Sequence, residues 1–238
     1  MDQILKPLAP LFETHSVSAV KPGGATLNDL SLTIEQGGLH ILAGDEGCGK
    51  NLLLRIVGLL ERPLRGEVFF QGAPTAELGD DARTDVRNRR FGYVFSAPFL
   101  LGSFTAIENV AMPLFRISQV DPTAARVRSE ELLEFVGLRH AAELRVGDLP
   151  PREQLRVALA RSLVNEPAAL FVEDLERDER CDASESFLRL LRQTCARFGA
   201  TVVATAPRDF PSGEHDRRVV LAGGRIESDG RGTPQGNT

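Results

Sequence analysis

Apolar and polar residues alternate in LSLTIEQ (30–36), with Leu30, Leu32 and Ile34 on one side, and again in GEVFFQG (66–72). A period of two predicts half-buried antiparallel strands. Between them, Leu39, Ile41, Leu42 and Ala43 form a nearly continuous apolar run, followed by a glycine-rich stretch and then a helical spacing of apolar positions. Another apolar strand is expected over 91–95, and helical patterning continues to about Gly147. AALFVED (168–174) and TVVATA (201–206) read as buried strands, each preceded by a helix-period segment. RVVLAGGRIES (218–228) predicts a last hairpin turning at Gly223 and Gly224. Strands alternating with helices, framed by antiparallel pieces, predict an α/β core with a small β-layer and an inserted helical arm. Residues 1–11 are expected to be an N-terminal extension, 12–227 a single domain with a helical subdomain at about 97–152, and 228–238 a mobile tail.

At 238 residues, with 42% hydrophobic and 26% charged, the chain suits one globular core. Net charge is −5, and 25 Arg and three Lys are spread along the chain, which argues against nucleic acid as a partner. No stretch approaches the ~20 apolar residues of a membrane span. The start, MDQILKPLAP, lacks a basic-then-apolar signal, so a cytoplasmic location is expected. Cys48, Cys181 and Cys195 lack metal-ligand spacing and argue against a disulfide framework. His15, His40, His140 and His215 read as surface or loop residues.

Chemistry enters at residues 41–54, ILAGDEGCGKNLLL, where Gly44, Gly49 and Lys50 satisfy G-x-x-x-x-G-K in a strand, loop and helix context. Lys50 and the backbone N–H groups of Gly47, Cys48, Gly49 and Asn51 suit phosphates. Cys48 reads as a small filler of the loop. A Ser or Thr hydroxyl after the lysine would ligate Mg²⁺. Asn51 offers a carbonyl oxygen instead, a weaker and bulkier ligand, and Leu52 offers nothing. ATP and Mg²⁺ are therefore candidate cofactors with weakened affinity.

Three further stretches join the loop in order: VRNRRFGYVFSAPFLLGSFTAIENVAMPLF (86–115), ELLEFVGL (131–138) and LPPREQLRVALARSLVNEPAALFVEDLE (149–176). Together they make residues 12–227 resemble the ATP-binding subunit of an ABC transporter, in the lipoprotein-release, macrolide-export and FtsE-like group. The resemblance implies a P-loop NTPase fold with a RecA-like core, an antiparallel β-subdomain and a helical subdomain. It also implies roles that this chain meets with altered residues. Ser96 stands where the family has a glutamine touching Mg²⁺ and the attacking water. Glu173 stands for the metal-holding aspartate, so Asn51 and Glu173 are the implied metal residues. Asp174 stands for the water-polarising glutamate; the shorter side chain sets the carboxylate back by roughly 1–1.5 Å, and ~1 Å can cost ~10²-fold in rate. The signature L-S-G-G-Q reads Leu149, Pro150, Pro151, Arg152 and Glu153, which removes two backbone donors. Proline suits a helix start, so the helix through 155–163 is expected to survive. The switch histidine is Ala206, followed by Pro207; no aromatic near Val20 is placed to stack adenine; the interface loop reads RDERCD (177–182).

These departures lead to the expectation of a catalytically impaired subunit, a structural or regulatory half of an ABC transporter complex. It would dock on a membrane permease through residues 96–115, from Ser96 to Phe115, as a homodimer or heterodimer on the inner face of the plasma membrane. Two alternatives stand beside it: a slow but genuine ATPase using Lys50, Asn51, Glu173 and Asp174, and an interaction module without a permease.

Overall fold

The computed structural model describes residues 10–21, 24–118, 120–175, 183–213 and 216–231. The expected extension up to residue 9, the RDERCD loop with Cys181, His215 and the tail from residue 232 lie outside them. The strands are β1 (Pro10–Val20), β2 (Thr26–Glu35), β3 (Leu39–Gly44), β4 (Arg65–Phe70), β5 (Ala73–Pro74), β6 (Phe91–Val94), β7 (Ala169–Val172), β8 (Thr201–Ala206), β9 (Arg217–Ala222) and β10 (Arg225–Arg231). The helices are α1 (Lys50–Val57), α2 (Asp80–Arg90), α3 (Ala106–Pro113), α4 (Pro122–Phe135), α5 (Pro151–Leu163) and α6 (Ala183–Phe198). A π-helical turn (Leu114–Ser118) and two 3₁₀ turns (Arg139–Ala141 and Val146–Asp148) complete the arm. The expected domain limits, 12 and 227, fall inside β1 and β10, so strand extends past both.

A six-stranded sheet of order β10-β9-β3-β8-β7-β6 forms the centre, parallel except for the β9–β10 hairpin. A second, antiparallel sheet has the order β2-β1-β4-β5. Every residue of β3, β7 and β8 is buried, because layers cover both faces of these strands. Leu42 of β3 packs toward α1 and the antiparallel sheet, while Ile41 and Ala43 face the core shared with α3 to α6.

The two sheets meet through rings. Phe12 lies 5.3 Å from Phe70, 5.5 Å from Phe91 and 5.6 Å from Phe171, centroid to centroid. Each such pair adds about 0.5–1.5 kcal/mol beyond its area. β1 was not legible as a strand because its register shifts between Thr14 and Val17 and again before Ala19, which breaks the period of two. The alternation read in residues 30–36 is real: Leu30, Leu32 and Ile34 are buried and Ser31 and Thr33 exposed.

The helical arm begins at a capping box in which the Thr105 side chain accepts from Glu108 N–H and the Thr105 N–H bonds back to Glu108. It is fastened to the core where α5 crosses β6. A Cβ on Gly92 would lie 2.4 Å from the backbone oxygen of Ser162, so the crossing tolerates no side chain there. Gly92→Ala should lower the unfolding free energy by about 1–3 kcal/mol in urea titrations. Gly79→Ala, where the added methyl meets open space, should stay within about 0.5 kcal/mol. Equal losses from both would show that the β6–α5 contact is not the tight one.

Candidate functional site

β3 ends at Gly44, and the chain turns through residues 45–49 into α1, whose N-cap is Gly49. Gly49 has φ 100°, and a Cβ there would lie 2.5 Å from the Thr26 carbonyl oxygen of β2. That close approach brings the first turn of α1 under the antiparallel sheet. The loop is also held from the hairpin, since Gly224 N–H donates to Cys48 O at 3.1 Å, and the hairpin turn is itself held to β2 by Asn28 Nδ2 donating to Gly223 O at 2.9 Å. Cys48 is buried, as a filler should be.

The first-turn N–H groups of α1 lack intrahelical partners, and no acidic residue sits in that turn to compensate the helix dipole. An anion is the natural complement of such a terminus. Lys50 arches back over the loop, with Nζ donating to Gly44 O at 2.9 Å and Asp45 O at 3.2 Å. A cavity of about 790 Å³ opens here, and Gly44, Gly47, Gly49, Lys50, Asn51 and Leu52 all line it. Asp174 contributes from the end of β7, and Pro207, Arg208 and Asp209 from the end of β8.

The two acids after β7 take different partners. Glu173, expected at the metal, is turned to Arg55 of α1: Arg55 Nη1 donates to it at 3.0 Å and Nε to Glu61 at 2.7 Å. Burial pulls the Arg55 guanidinium down, but its bonds to Glu61 and Glu173 carry it above its ordinary pKa. Asp174, expected to polarise water, accepts from Asn51 Nδ2 at 2.9 Å. It is therefore the acid that faces the phosphate loop. Its backbone has φ 52° and its N–H donates to Thr205 Oγ1 at 2.9 Å, which ties its position to β8.

Asn51 Oδ1 is buried and has no hydrogen-bond partner. Leaving such an acceptor unmet costs about 1–3 kcal/mol, and a cation or donor at that point would relieve it. Mg²⁺ is commonly held by one or two protein oxygens plus phosphates and water. Asn51 Oδ1 beside the Asp174 carboxylate fits that pattern. Among the described residues no group of three or more His, Cys, Asp or Glu could hold a metal unaided.

Ser96 lies outside this cavity, in a neighbouring groove of about 290 Å³ that it shares with Pro151, Arg152 and Glu173. Asp174 lines both spaces. Pro150 is the N-cap of α5 and Pro151 its first residue, so the helix persists through Leu163 as expected. Leu149 is buried, its carbonyl accepting from Gln154 Nε2 at 2.9 Å, and Glu153 N–H closes the first turn onto Pro150 O at 2.9 Å. Ala206 is fully buried, opposite Ala43 of β3, and presents no polar group. Sequence reasoning missed Asp45 and Arg208, which form an ion pair at 3.0 Å on the cavity wall. Their signal was available: an acidic residue directly after Gly44, and an arginine just past an apolar strand.

Residues 27–174 match the family described as ABC transporter. The lipoprotein-releasing system ATP-binding protein LolD of Myxococcus xanthus (strain DK1622) is 39% identical over 200 residues, covering 84% of this chain and 89% of that protein. LolD of Bordetella pertussis (strain Tohama I) is 34% identical over 203 residues, covering 85% and 87%. Among solved structures, the dimeric post-hydrolysis state of the ATP-binding cassette MJ0796 bound to ADP and Pi superposes with a TM-score of 0.80 at 28% identity, covering 92% of this chain and 98% of that one. cbiO1 from Clostridium perfringens, part of the transporter complex cbiONQ, shares the fold with a TM-score of 0.82 at 20% identity, covering 94% and 89%. With the family match running through the phosphate loop to Asp174, the chain belongs to the ABC transporter family, as an ATP-binding domain close to the LolD proteins.

Proposed function

We propose that the protein is the ATP-binding subunit of a lipoprotein-release-type transporter, impaired in hydrolysis and serving as a structural or regulatory half of the complex. The observation that carries this reading is the bond from Asn51 to Asp174. The residue in the metal-ligand position holds the acid that the end of β7 brings to the loop. Lys50 and the α1 N-terminus remain suited to bind the phosphates. Asn51 Oδ1, with Asp174 behind it, would hold Mg²⁺, which when bound neutralises charge on the terminal phosphates. Ser96 is too short to reach metal and water together, Ala206 offers no donor, and Pro150 and Pro151 have no N–H to give a partner's nucleotide.

The slow-ATPase reading draws on the same wall, because Lys50, Asn51 and Asp174 share one cavity. Assembly is supported by the relatives, of which MJ0796 is a dimer and cbiO1 belongs to a larger complex. No helix among the described residues is long and apolar enough to cross a membrane. A cytoplasmic subunit would reach the membrane through a permease. Exposed Phe99, Leu101, Phe104 and Phe115, at 70%, 43%, 41% and 46%, give residues 96–115 an apolar face suited to that contact.

Calorimetry should show micromolar ATP binding in Mg²⁺, weakened at least about tenfold by Lys50→Ala, which removes a charge-assisted contact. Millimolar ATP giving no heat with the folded chain would sink the nucleotide-binding reading. Asn51→Ser should release Asp174 and supply a hydroxyl, raising the Mg²⁺-dependent part of ATP affinity about tenfold. Turnover should remain low in both proteins. A wild-type rate of about 1–10 s⁻¹ or more, ordinary for an enzyme, would replace the impaired-subunit reading with a genuine ATPase.

A further inference from the structure

The phosphate loop carries two carboxylates, Asp45 and Glu46, within the segment that would face a polyphosphate. Against them the loop itself sets only Lys50, so an incoming anion meets net negative charge. Lys21 also lines the cavity, and a further positive charge comes from the end of β8. Because Ala43 pairs with Ala206, the chain leaving β8 emerges beside the chain leaving β3, and Arg208 arrives on the same cavity wall as Lys50 and Asn51. Its Nε donates to Asp45 Oδ2 at 3.0 Å, and Nη1 bonds Glu227 on β10. Among the described residues Nη2 has no hydrogen-bond partner, and the side chain is 39% exposed, open to the cavity.

We infer that Arg208 is a terminal-phosphate ligand, held on Asp45 in the free protein and transferred to the third phosphate of a nucleoside triphosphate when it binds. The inference rests on the loop being a nucleotide site. A guanidinium has five donors in a planar fork that suits phosphate oxygens, so it can exchange the carboxylate for the more highly charged phosphate. The buried methyl of Ala206 leaves the adjoining wall without a polar group, and Arg208, two residues on, is the cation that the same strand end supplies. Nucleoside diphosphates, lacking the outer phosphate, would leave Arg208 on Asp45. The residue thereby becomes a discriminator between the two states of the nucleotide.

The test is calorimetry of ATP and ADP, each with Mg²⁺, on the full chain and on Arg208→Ala, Asp45→Asn and the double variant, with circular dichroism confirming the fold. Arg208→Ala should weaken ATP tenfold or more and ADP less than about threefold. Asp45→Asn breaks the same ion pair yet should strengthen ATP binding, because it removes the competitor. In that background Arg208→Ala should still cost ATP about tenfold. Equal losses for ATP and ADP would reduce Arg208 to a structural bridge and overturn the inference. So would a loss that vanishes in the Asp45→Asn background, since Arg208 would then only neutralise the loop. If the wild type bound neither nucleotide, the nucleotide-site reading would fall and take this inference with it; if it bound both while Arg208→Ala kept their ratio, the inference alone would fall.

Discussion

Parallel pairing of β3 with β8 sets Ala43 opposite Ala206, and that register decides which loops share the carboxyl rim of the sheet. In an open parallel sheet the loops leaving strand ends converge there, so one pairing places several functional segments at once. From β3 comes the phosphate loop and from β8 the turn through Pro207 to Asp209. β7 adds Asp174, whose position is set by β8: its N–H donates to Thr205 Oγ1, and Leu175 N–H to Thr205 O at 2.8 Å. A shift of register would move the acid and the arginine relative to Lys50 together.

Much of this frame was legible because burial on both faces writes itself as apolar runs. Residues 39–43, 168–174 and 201–206 announced β3, β7 and β8, and the glycine pair 223–224 announced the hairpin. Glycine spacing with Lys50 located the loop. The same double burial hid the directions of the acids, since a strand covered on both faces has no alternation to extrapolate. The left-handed turn at Asp174 then rotates the chain where an extended reading would place Glu173 at the loop. β1 was obscured by its bulges, and α2 by composition: DDARTDVRNRR offers no apolar stripe, and Arg83 is its only buried residue.

Electrostatics sets the two acids that follow β7 apart. Glu173 is 12% exposed and pairs with Arg55, which also holds Glu61. Turning Glu173 toward a metal would leave Arg55 one partner short beneath α1, and breaking a partly buried pair costs more than its formation gains. Its charge is thus committed to fastening β7 to α1. Among the described residues the Asp174 carboxylate has Asn51 as its side-chain partner, and it lines the cavity, where a ligand could replace that bond. In this geometry the longer acid is tied to α1 through Arg55, and the shorter one lines the phosphate-loop cavity.

The two halves of the proposed site have fared unequally. α5 retains its helix because proline at the N-cap and first position demands no N–H that the helix itself would use. That economy leaves the helix intact while two positions at its start carry no N–H. The loop half loses no backbone donor from Gly47 to Asn51, keeps Lys50, and gains Arg208 on its wall. In a dimer whose sites combine one chain's loop with the other's signature, this chain would therefore contribute a usable loop and a poor signature. Paired with an intact partner, it yields two unlike sites: one able to hold nucleotide through Lys50, the other with its partner's loop facing Pro150 and Pro151. In a homodimer, by contrast, the two sites would be alike, each pairing Lys50 of one chain with Pro150 and Pro151 of the other.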